Sequence, residues 1–391
     1  MFISDSVKYV GVDDHEIDLF EGQFEVPNGM AYNSYVIFDD KICVMDSVDA
    51  HFGDEWLLNL KNTLESKSPD FLVVQHMEMD HSANIKKFME AYPQTKIVAS
   101  KMAFTIMKSM FGTDFSDRNI VVGEGSILEL GKNAGDHSLQ FVTAPNVHWP
   151  EVIMTYDKKE KILFAADAFG KFGANDYDDP EGWACEARRY YFGIVGKFGA
   201  NVQAVLKKLS GLEIKTICSL HGPVLTENIS YYINTYNTWS SYGVESEGVT
   251  IAYTSVYGDT KIAAEKLAEL LRKKGCPKVA ISDLARSDTY ECIEDAFRYG
   301  KLVLATTTYC AGVFPTMREF IEHLVERNYQ NRFIAFIENG SWYPLAAKGM
   351  ASLFANCKNL TFAKTQVTIK VSVTDETIAQ LEKLADEIVS L

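Results

Sequence analysis

Short apolar runs recur along the first two-thirds of the chain, each ended by polar or turn-forming residues. Tyr32 to Phe38 and Lys41 to Asp46 flank Asp39-Asp40 and read as a β-hairpin. Val152–Tyr156 and Lys161–Ala166 flank Asp157-Lys158-Lys159-Glu160 and read as another. Strands are expected at 71–74, 96–100, 119–122 and 138–143, and helices at about 53–65 and 82–92. From Val249 onward the pattern becomes a regular alternation. Strands are expected at Val249–Thr254, Val279–Asp283, Leu302–Ala305 and Phe333–Ile337, with a last one near Thr361–Ile369. Between and after them, Lys261–Lys274, Ile293–Tyr299, Thr316–Arg327, Leu345–Phe354 and 375–390 carry helical patterns. In the last helix Ile378, Leu381, Leu384 and Ile388 share one face. The polar stretch Ser240 to Gly248, with two glycines, reads as a boundary between a domain at 1–247 and one at 248–391.

The strand ends carry the chemistry. His76-Met77-Glu78-Met79-Asp80-His81 follows the apolar run Phe71-Leu72-Val73-Val74. It places four side chains able to bind a metal on the loop leaving a buried strand, where a rigid scaffold aims several ligands at one point. Two imidazoles and two carboxylates suit iron, manganese or zinc better than calcium or magnesium. His148, Asp167 and His221 each follow a further strand-like run, and Gly222-Pro223 stops the last. A lone His or Asp at a strand end is more often a turn former or a satisfied core residue. Seven nitrogen and oxygen ligands together suffice for two metal ions and are too many for one.

The alternating β/α half points to a second ligand. In such sheets ligands bind at the carboxyl ends of the strands. Ser255-Val256-Tyr257-Gly258-Asp259-Thr260 links the first strand to the first helix and has the makings of a phosphate cradle built from backbone N–H groups and a helix N-terminus. Thr306-Thr307-Thr308-Tyr309-Cys310-Ala311-Gly312 follows the third strand and Asn339-Gly340-Ser341-Trp342 the fourth. Tyr309 and Trp342 offer flat faces for stacking, and Gly312 and Gly340 allow close backbone approach. The plain alternative is that both aromatics merely pack.

Composition narrows the class. At 391 residues two domains are expected. Hydrophobic content of 47% with 23% charged residues fits a globular chain. A net charge of −15 argues against binding nucleic acid or an anionic membrane surface. No apolar run is long enough to cross a membrane, and Met1-Phe2-Ile3-Ser4-Asp5 lacks the marks of a signal peptide. Seven scattered cysteines without a C-x-x-C pair argue against a rubredoxin or iron–sulfur motif and for reduced thiols in a cytoplasm.

The order His-x-Glu-x-Asp-His, then His, Asp and His, resembles the metallo-β-lactamase-like domain of flavodiiron proteins, and the second half resembles flavodoxin. The Ser255–Thr260 loop is similar to the flavodoxin FMN-phosphate loop, with Tyr257 where a hydroxyl residue is usual. The resemblance covers essentially the whole chain. It implies an N-terminal αββα sandwich followed by a doubly wound parallel five-stranded sheet; periodicity alone shows only mixed α/β. It implies His76, Glu78 and His148 on one iron, Asp80, His81 and His221 on the other, and Asp167 bridging them. Hydrolases of the same superfamily usually have His where Glu78 stands, and a carboxylate there favours iron over zinc. Tyr190 and Tyr191 are candidate proton donors or packing residues. Trp149 either lies between metal and flavin or packs. The resemblance further implies reduction of dioxygen to water or of nitric oxide to nitrous oxide, with electrons reaching the irons through FMN. It implies rubredoxin or a similar external donor, the short form without a rubredoxin extension, and a head-to-tail homodimer or dimer of dimers. A zinc hydrolase and a plain flavin electron carrier with a degenerate metal domain are the alternatives of other classes.

Overall fold

The computed structural model describes residues 2–391 and divides into two compact units, one running to Asn237 and one from Thr238 to the C-terminus. In the first unit, two sheets face each other. One has six strands in the order Val7–Tyr9, Tyr35–Ile37, Cys43–Met45, Phe71–Val74, Lys96–Ser100 and Asn119–Val122. The other has five: Ile127–Glu129, Ser138–Thr143, Ile153–Asp157, Ile162–Phe164 and Thr216–Cys218. The period-2 alternation of the strands sends one set of side chains into the space between the sheets. Tyr35, Ile37, Cys43, Met45, Val73 and Val98 from the first sheet meet Leu139, Phe141, Ile153, Ile162, Phe164 and Cys218 from the second in one buried cluster. The helix Gly53–Leu64 lies outside the first sheet, its Trp56 ring 5.5 Å from Phe88 of the helix Ile85–Ala91. This is an αββα sandwich.

Both expected hairpins form: Tyr35–Ile37 pairs antiparallel with Cys43–Met45, and Ile153–Asp157 with Ile162–Phe164. The helix expected over 82–92 is two pieces, Met79–Ser82 and Ile85–Ala91. The first piece is a single helical turn that begins after Glu78, so the polar cluster is partly coiled. The helices Lys101–Phe111, Ala184–Tyr190, Gly199–Leu209 and Ile229–Ser240 were not among the expected elements.

The second unit is a parallel sheet in the order Val279–Asp283, Ser246–Tyr253, Tyr299–Tyr309, Phe333–Asn339 and a last strand. In chain order that is 2-1-3-4-5, the doubly wound order of flavodoxin. The helices Asp259–Lys273 and Asp375–Val389 bury Leu267, Leu271, Leu381 and Leu384 against one face of the sheet. The last strand is broken into Thr361–Phe362 and Val367–Ile369. Between the pieces the backbone N–H groups of Lys364 and Thr365 leave the sheet and donate to Glu387 of the last helix, at 2.7 and 2.9 Å. The third strand also runs on to Tyr309 and folds back as a short hairpin with Gly312–Val313.

Candidate functional site

In the first unit, four loops leaving strand ends bring seven side chains together. His76 follows Phe71–Val74, His148 follows Ser138–Thr143, Asp167 follows Ile162–Phe164 and His221 follows Thr216–Cys218. They form two adjoining groups, His76, Glu78, His148 and Asp167 in one, and Asp80, His81 and His221 in the other. In the first, His148 Nε2 lies 2.9 Å from Glu78 Oε2 and 3.1 Å from Asp167 Oδ2. His76 Nε2 lies 3.3 Å from the same Glu78 oxygen and 3.4 Å from Asp167 Oδ2. In the second, His81 Nε2 is 3.0 Å from His221 Nε2, 3.2 Å from Asp80 Oδ2 and 3.3 Å from Asp167 Oδ1. Asp167 thus turns one oxygen toward each group.

Six of these seven side chains are buried, and Glu78 is half-buried. The oxygens of Asp80 and of Asp167 are buried, and the polar groups they face are the imidazoles of the same cluster. Buried carboxylate oxygens are normally satisfied, so such convergence is the signature of cation ligands. The donor set fits a pair of first-row cations rather than calcium or magnesium.

The groups perturb one another strongly. Burial alone would push the His81 imidazole down, but the Asp80 and Asp167 carboxylates raise it to about 10. His148, likewise disfavoured by burial, is raised to about 9 by hydrogen bonds to Asp167 and Glu78. Burial raises Glu78, and the hydrogen bonds of His148 and His76 outweigh it, bringing it down to about 2. Asp167 is held well below the usual carboxylate range by the surrounding imidazoles against the effect of burial. Positive ions of some kind are therefore required around these carboxylates, either protons on the histidines or metal.

Supporting contacts orient the rings. The carboxylate Glu151 Oε1 sits 2.8 Å from His76 Nδ1 and accepts the Met77 backbone N–H at 2.9 Å. His221 Nδ1 donates to the Ala31 carbonyl at 2.8 Å. Each leaves the Nε2 atom facing the centre. Asn33 is fully buried and donates to the carbonyls of Ser219 and Gly222, pinning the His221 loop. At Gly170 a Cβ would stand 3.0 Å from the Asp167 carbonyl and 3.3 Å from His221 Cβ, so a larger residue would press on both loops. None of Glu151, Ala31 or Asn33 was singled out from sequence. Glu151 is three residues past His148 beside Pro150, a weak signal; Ala31 acts through its backbone, which leaves no mark.

Around the centre, the Tyr190 ring lies 5.4 Å from that of His221. Its phenol is pushed well up by burial and by the Asp167, Glu78 and Asp80 carboxylates. Tyr191 turns elsewhere and packs on Phe192 and Tyr236, at 5.0 and 5.1 Å. Trp149 stands edge-on to His76, with ring centroids 5.3 Å apart. Glu21, also unanticipated, is raised to about 7 by burial and by the neighbouring Glu78.

In the second unit, the three expected loops line two adjoining cavities at the carboxyl ends of the strands. One, of about 300 Å³, is bounded by Tyr257, Asp259, Thr260, Thr307, Asn339 and Ser341 among others. The other, of about 420 Å³, lies between Thr308–Ala311 and Gly340–Tyr343. Such sizes are those of small-molecule sites. Ser255 Oγ accepts the Gly258 N–H at 3.1 Å, and Gly258 takes φ 106° before the helix, a conformation glycine adopts freely. Asp259, at the cavity's edge, turns its Oδ1 to accept the Val373 N–H at 3.1 Å. Thr306 faces the interior and bonds Thr254, and Gly312 lies in the hairpin beyond the cavities. Tyr257 and Trp342 are 96% and 90% exposed, leaving their flat faces open to a ligand.

The fold and the two-part site define a two-domain protein with a metallo-β-lactamase-like and a flavodoxin-like unit. A family model for the ODP family beta lactamase matches residues 30–222. Over 282 residues the chain is 32% identical to the putative diflavin flavoprotein A 2 of Synechocystis, covering 71% of this chain and 48% of that protein. It is 27% identical to the anaerobic nitric oxide reductase flavorubredoxin of Vibrio vulnificus, covering 87% of this chain and 70% of that protein. The chain spans about half the length of the diflavin relatives. Among solved structures, the flavodiiron protein of Giardia intestinalis superposes with a TM-score of 0.89 at 25% identity, covering 100% of this chain and 98% of that one. The rubredoxin oxygen:oxidoreductase of Desulfovibrio gigas superposes with a TM-score of 0.91 at 24% identity, covering 100% and 98%. The chain belongs to the flavodiiron proteins.

Proposed function

We propose that this protein is an oxidoreductase that reduces dioxygen to water, or nitric oxide to nitrous oxide, at two non-haem irons, using electrons delivered through FMN from an external donor such as rubredoxin. The observation that carries this reading is Asp167, buried between the two groups with one oxygen toward the imidazoles of each. His76, Glu78 and His148 would hold one iron, Asp80, His81 and His221 the other, and Asp167 both. Glu78 favours iron over the zinc of related hydrolases. Bound there, two irons would supply electrons and Lewis acidity, and FMN held by the second unit would supply single electrons.

The chain's own residues do the rest. Glu151 and the Ala31 carbonyl fix the ring orientations of His76 and His221. Tyr190, whose phenol burial keeps protonated, stands beside His221 and donates a proton or hydrogen bond to a reacting oxygen. In the other unit, the Ser255–Thr260 loop would take the FMN phosphate, and Tyr309 and Trp342 the ring.

Metal analysis with a visible spectrum of the purified protein tests this. Iron with a flavin spectrum and consumption of dioxygen or nitric oxide is the expected result. Zinc without flavin would replace it with a hydrolase, and flavin without metal with an electron carrier. We further propose a head-to-tail homodimer, in which the flavin of one subunit serves the irons of the other across a two-fold axis. Mixing an FMN-binding-dead variant with Asp167→Ala should then restore activity on subunit exchange; a mixture that stays inactive after proven exchange overturns the dimer.

A further inference from the structure

A file of redox-active rings leads from the metal centre to the surface of the first unit. Phe169 lies two residues past Asp167. Its N–H donates to Tyr236 Oη at 2.6 Å, and its carbonyl accepts the Trp183 Nε1–H at 3.0 Å. The Tyr236 and Trp183 rings are 6.4 Å apart between centroids. Trp183 then meets Tyr232 at 4.8 Å and Tyr231 at 6.2 Å, and those two tyrosines are 5.3 Å apart. Tyr236 is fully buried, Trp183 nearly so, and Tyr231 is 47% exposed. The path is continuous through covalent bonds, two hydrogen bonds and ring contacts, with no gap wider than a side chain.

We propose that Tyr236, Trp183, Tyr232 and Tyr231 form a relay that carries single oxidising equivalents from the metal centre to solvent. The proposal rests on the reductase reading above. Dioxygen needs four electrons to become water, so a shortfall in electron supply strands an oxidant beside buried ligands. Tryptophan and tyrosine are the side chains easiest to oxidise by one electron without metal, and electron tunnelling fades steeply with distance, so a chain of such rings is the favoured exit. The environments set its direction. Trp183 gives its N–H to a backbone carbonyl, which is too weak a base to take the proton, so the charge passes on. Tyr231 reaches water, which takes the hydroxyl proton and ends the transfer.

The step balances with hydrogen peroxide as the oxidant. Each peroxide takes two electrons and two protons and yields two waters. Tyr231 supplies one electron through Trp183 and Tyr236 and releases one proton to water, becoming a neutral tyrosyl radical. The second electron comes from the reduced irons or from a second such event.

The test uses full-length iron-loaded protein holding one reducing equivalent per subunit, freed of excess reductant, mixed with hydrogen peroxide and frozen. The expected result is an organic-radical EPR signal that changes shape with ring-deuterated tyrosine, and peptide mass spectra with oxygen added at Tyr231 and Tyr232. In Trp183→Phe that surface oxidation should fall several-fold and move inward to Tyr236 and Tyr190, while steady turnover with excess electron donor stays unchanged. The surface variant Tyr231→Phe with Tyr232→Phe keeps the test alive where Trp183→Phe fails to fold: its radical should become a longer-lived tryptophan signal. Equal surface oxidation in Trp183→Phe and the parent, or the same pattern in iron-free protein, would mean a packing cluster only and overturn the relay. Protein that binds no iron, or consumes no dioxygen when loaded, would instead overturn the reductase reading and the relay with it.

Discussion

Glu151 lies outside the seven candidate ligands yet orients one of them. Its carboxylate holds both the His76 ring and the Met77 backbone N–H. Loss of such a partner to a metal-bound histidine costs about 10–100-fold in metal affinity or activity. Glu151→Gln keeps the size and weakens the acceptor, so iron affinity measured against a competing chelator should fall within that range, with the FMN content unchanged. Protons compete for the same rings. His148 and His81 are raised to about 9 and about 10 from 6.5, so at neutral pH a cation must displace protons. Calorimetry in buffers of differing ionisation enthalpy should show proton release near pH 7 that declines as the pH passes 9. The linkage sign follows. With folded values above the unfolded ones, these histidines stabilise the chelated protein fully below pH 6.5, and that contribution is lost as pH rises through 9 and 10. Chelated protein should therefore lose stability toward alkaline pH, and loaded protein should resist this loss. At this scale the sequence was readable where chemistry sat at strand ends. His76, His148, Asp167 and His221 all follow apolar runs, and they stand together in space. Glu151 and Glu21 were not readable, because nothing in a sequence says which of 53 acids faces a given imidazole.

Among elements, short strands and the alternating β/α half were readable to within a few residues, since their apolar runs have clear ends. The helix Ile229–Ser240 was not. It is built of Tyr, Ile, Thr, Asn and Trp, residues of middling or poor helix propensity, and tertiary packing of Tyr236 and Trp239 holds it instead. The helix Ala346–Leu353 makes the opposite point. Gly349 occupies its interior, where alanine would gain about 1 kcal/mol of helix propensity. A Cβ there would meet Val313 Cγ2 at 2.6 Å. Valine is branched and stiff, and overpacking of this kind costs about 1–3 kcal/mol. Gly349→Ala is therefore expected to lower stability in urea unfolding despite its better propensity. In a Val313→Ala background the same change should become neutral or stabilising.

For the whole molecule, each unit has its own buried core, which predicts two calorimetric transitions with separate ligand dependence. A ligand present at a hundredfold its Kd adds about 2.7 kcal/mol. For a unit this large each kcal/mol moves the midpoint by about 2–4 °C. Chelating the metal should lower one transition by roughly 5–10 °C and leave the other in place, and removing flavin should do the reverse. The −15 net charge, read from composition, argues against affinity for polyanions. The pairing of the two sheets into a sandwich was beyond periodicity, since strand patterns do not say which faces meet.

The division of the metal centre between two sheets also sets its history within the cell. His76 to His81 leave the ribosome as a compact chelating hexapeptide, while His221 follows roughly 7–30 s later at ordinary rates of synthesis. Until then the nascent chain offers an unfinished set of imidazoles and carboxylates to whatever divalent ions surround it, and copper and zinc bind such sets more tightly than ferrous iron. Selection for iron thus falls to the finished pocket and to the ion supply of the compartment in which folding ends. Expression host and growth medium become part of this protein's chemistry.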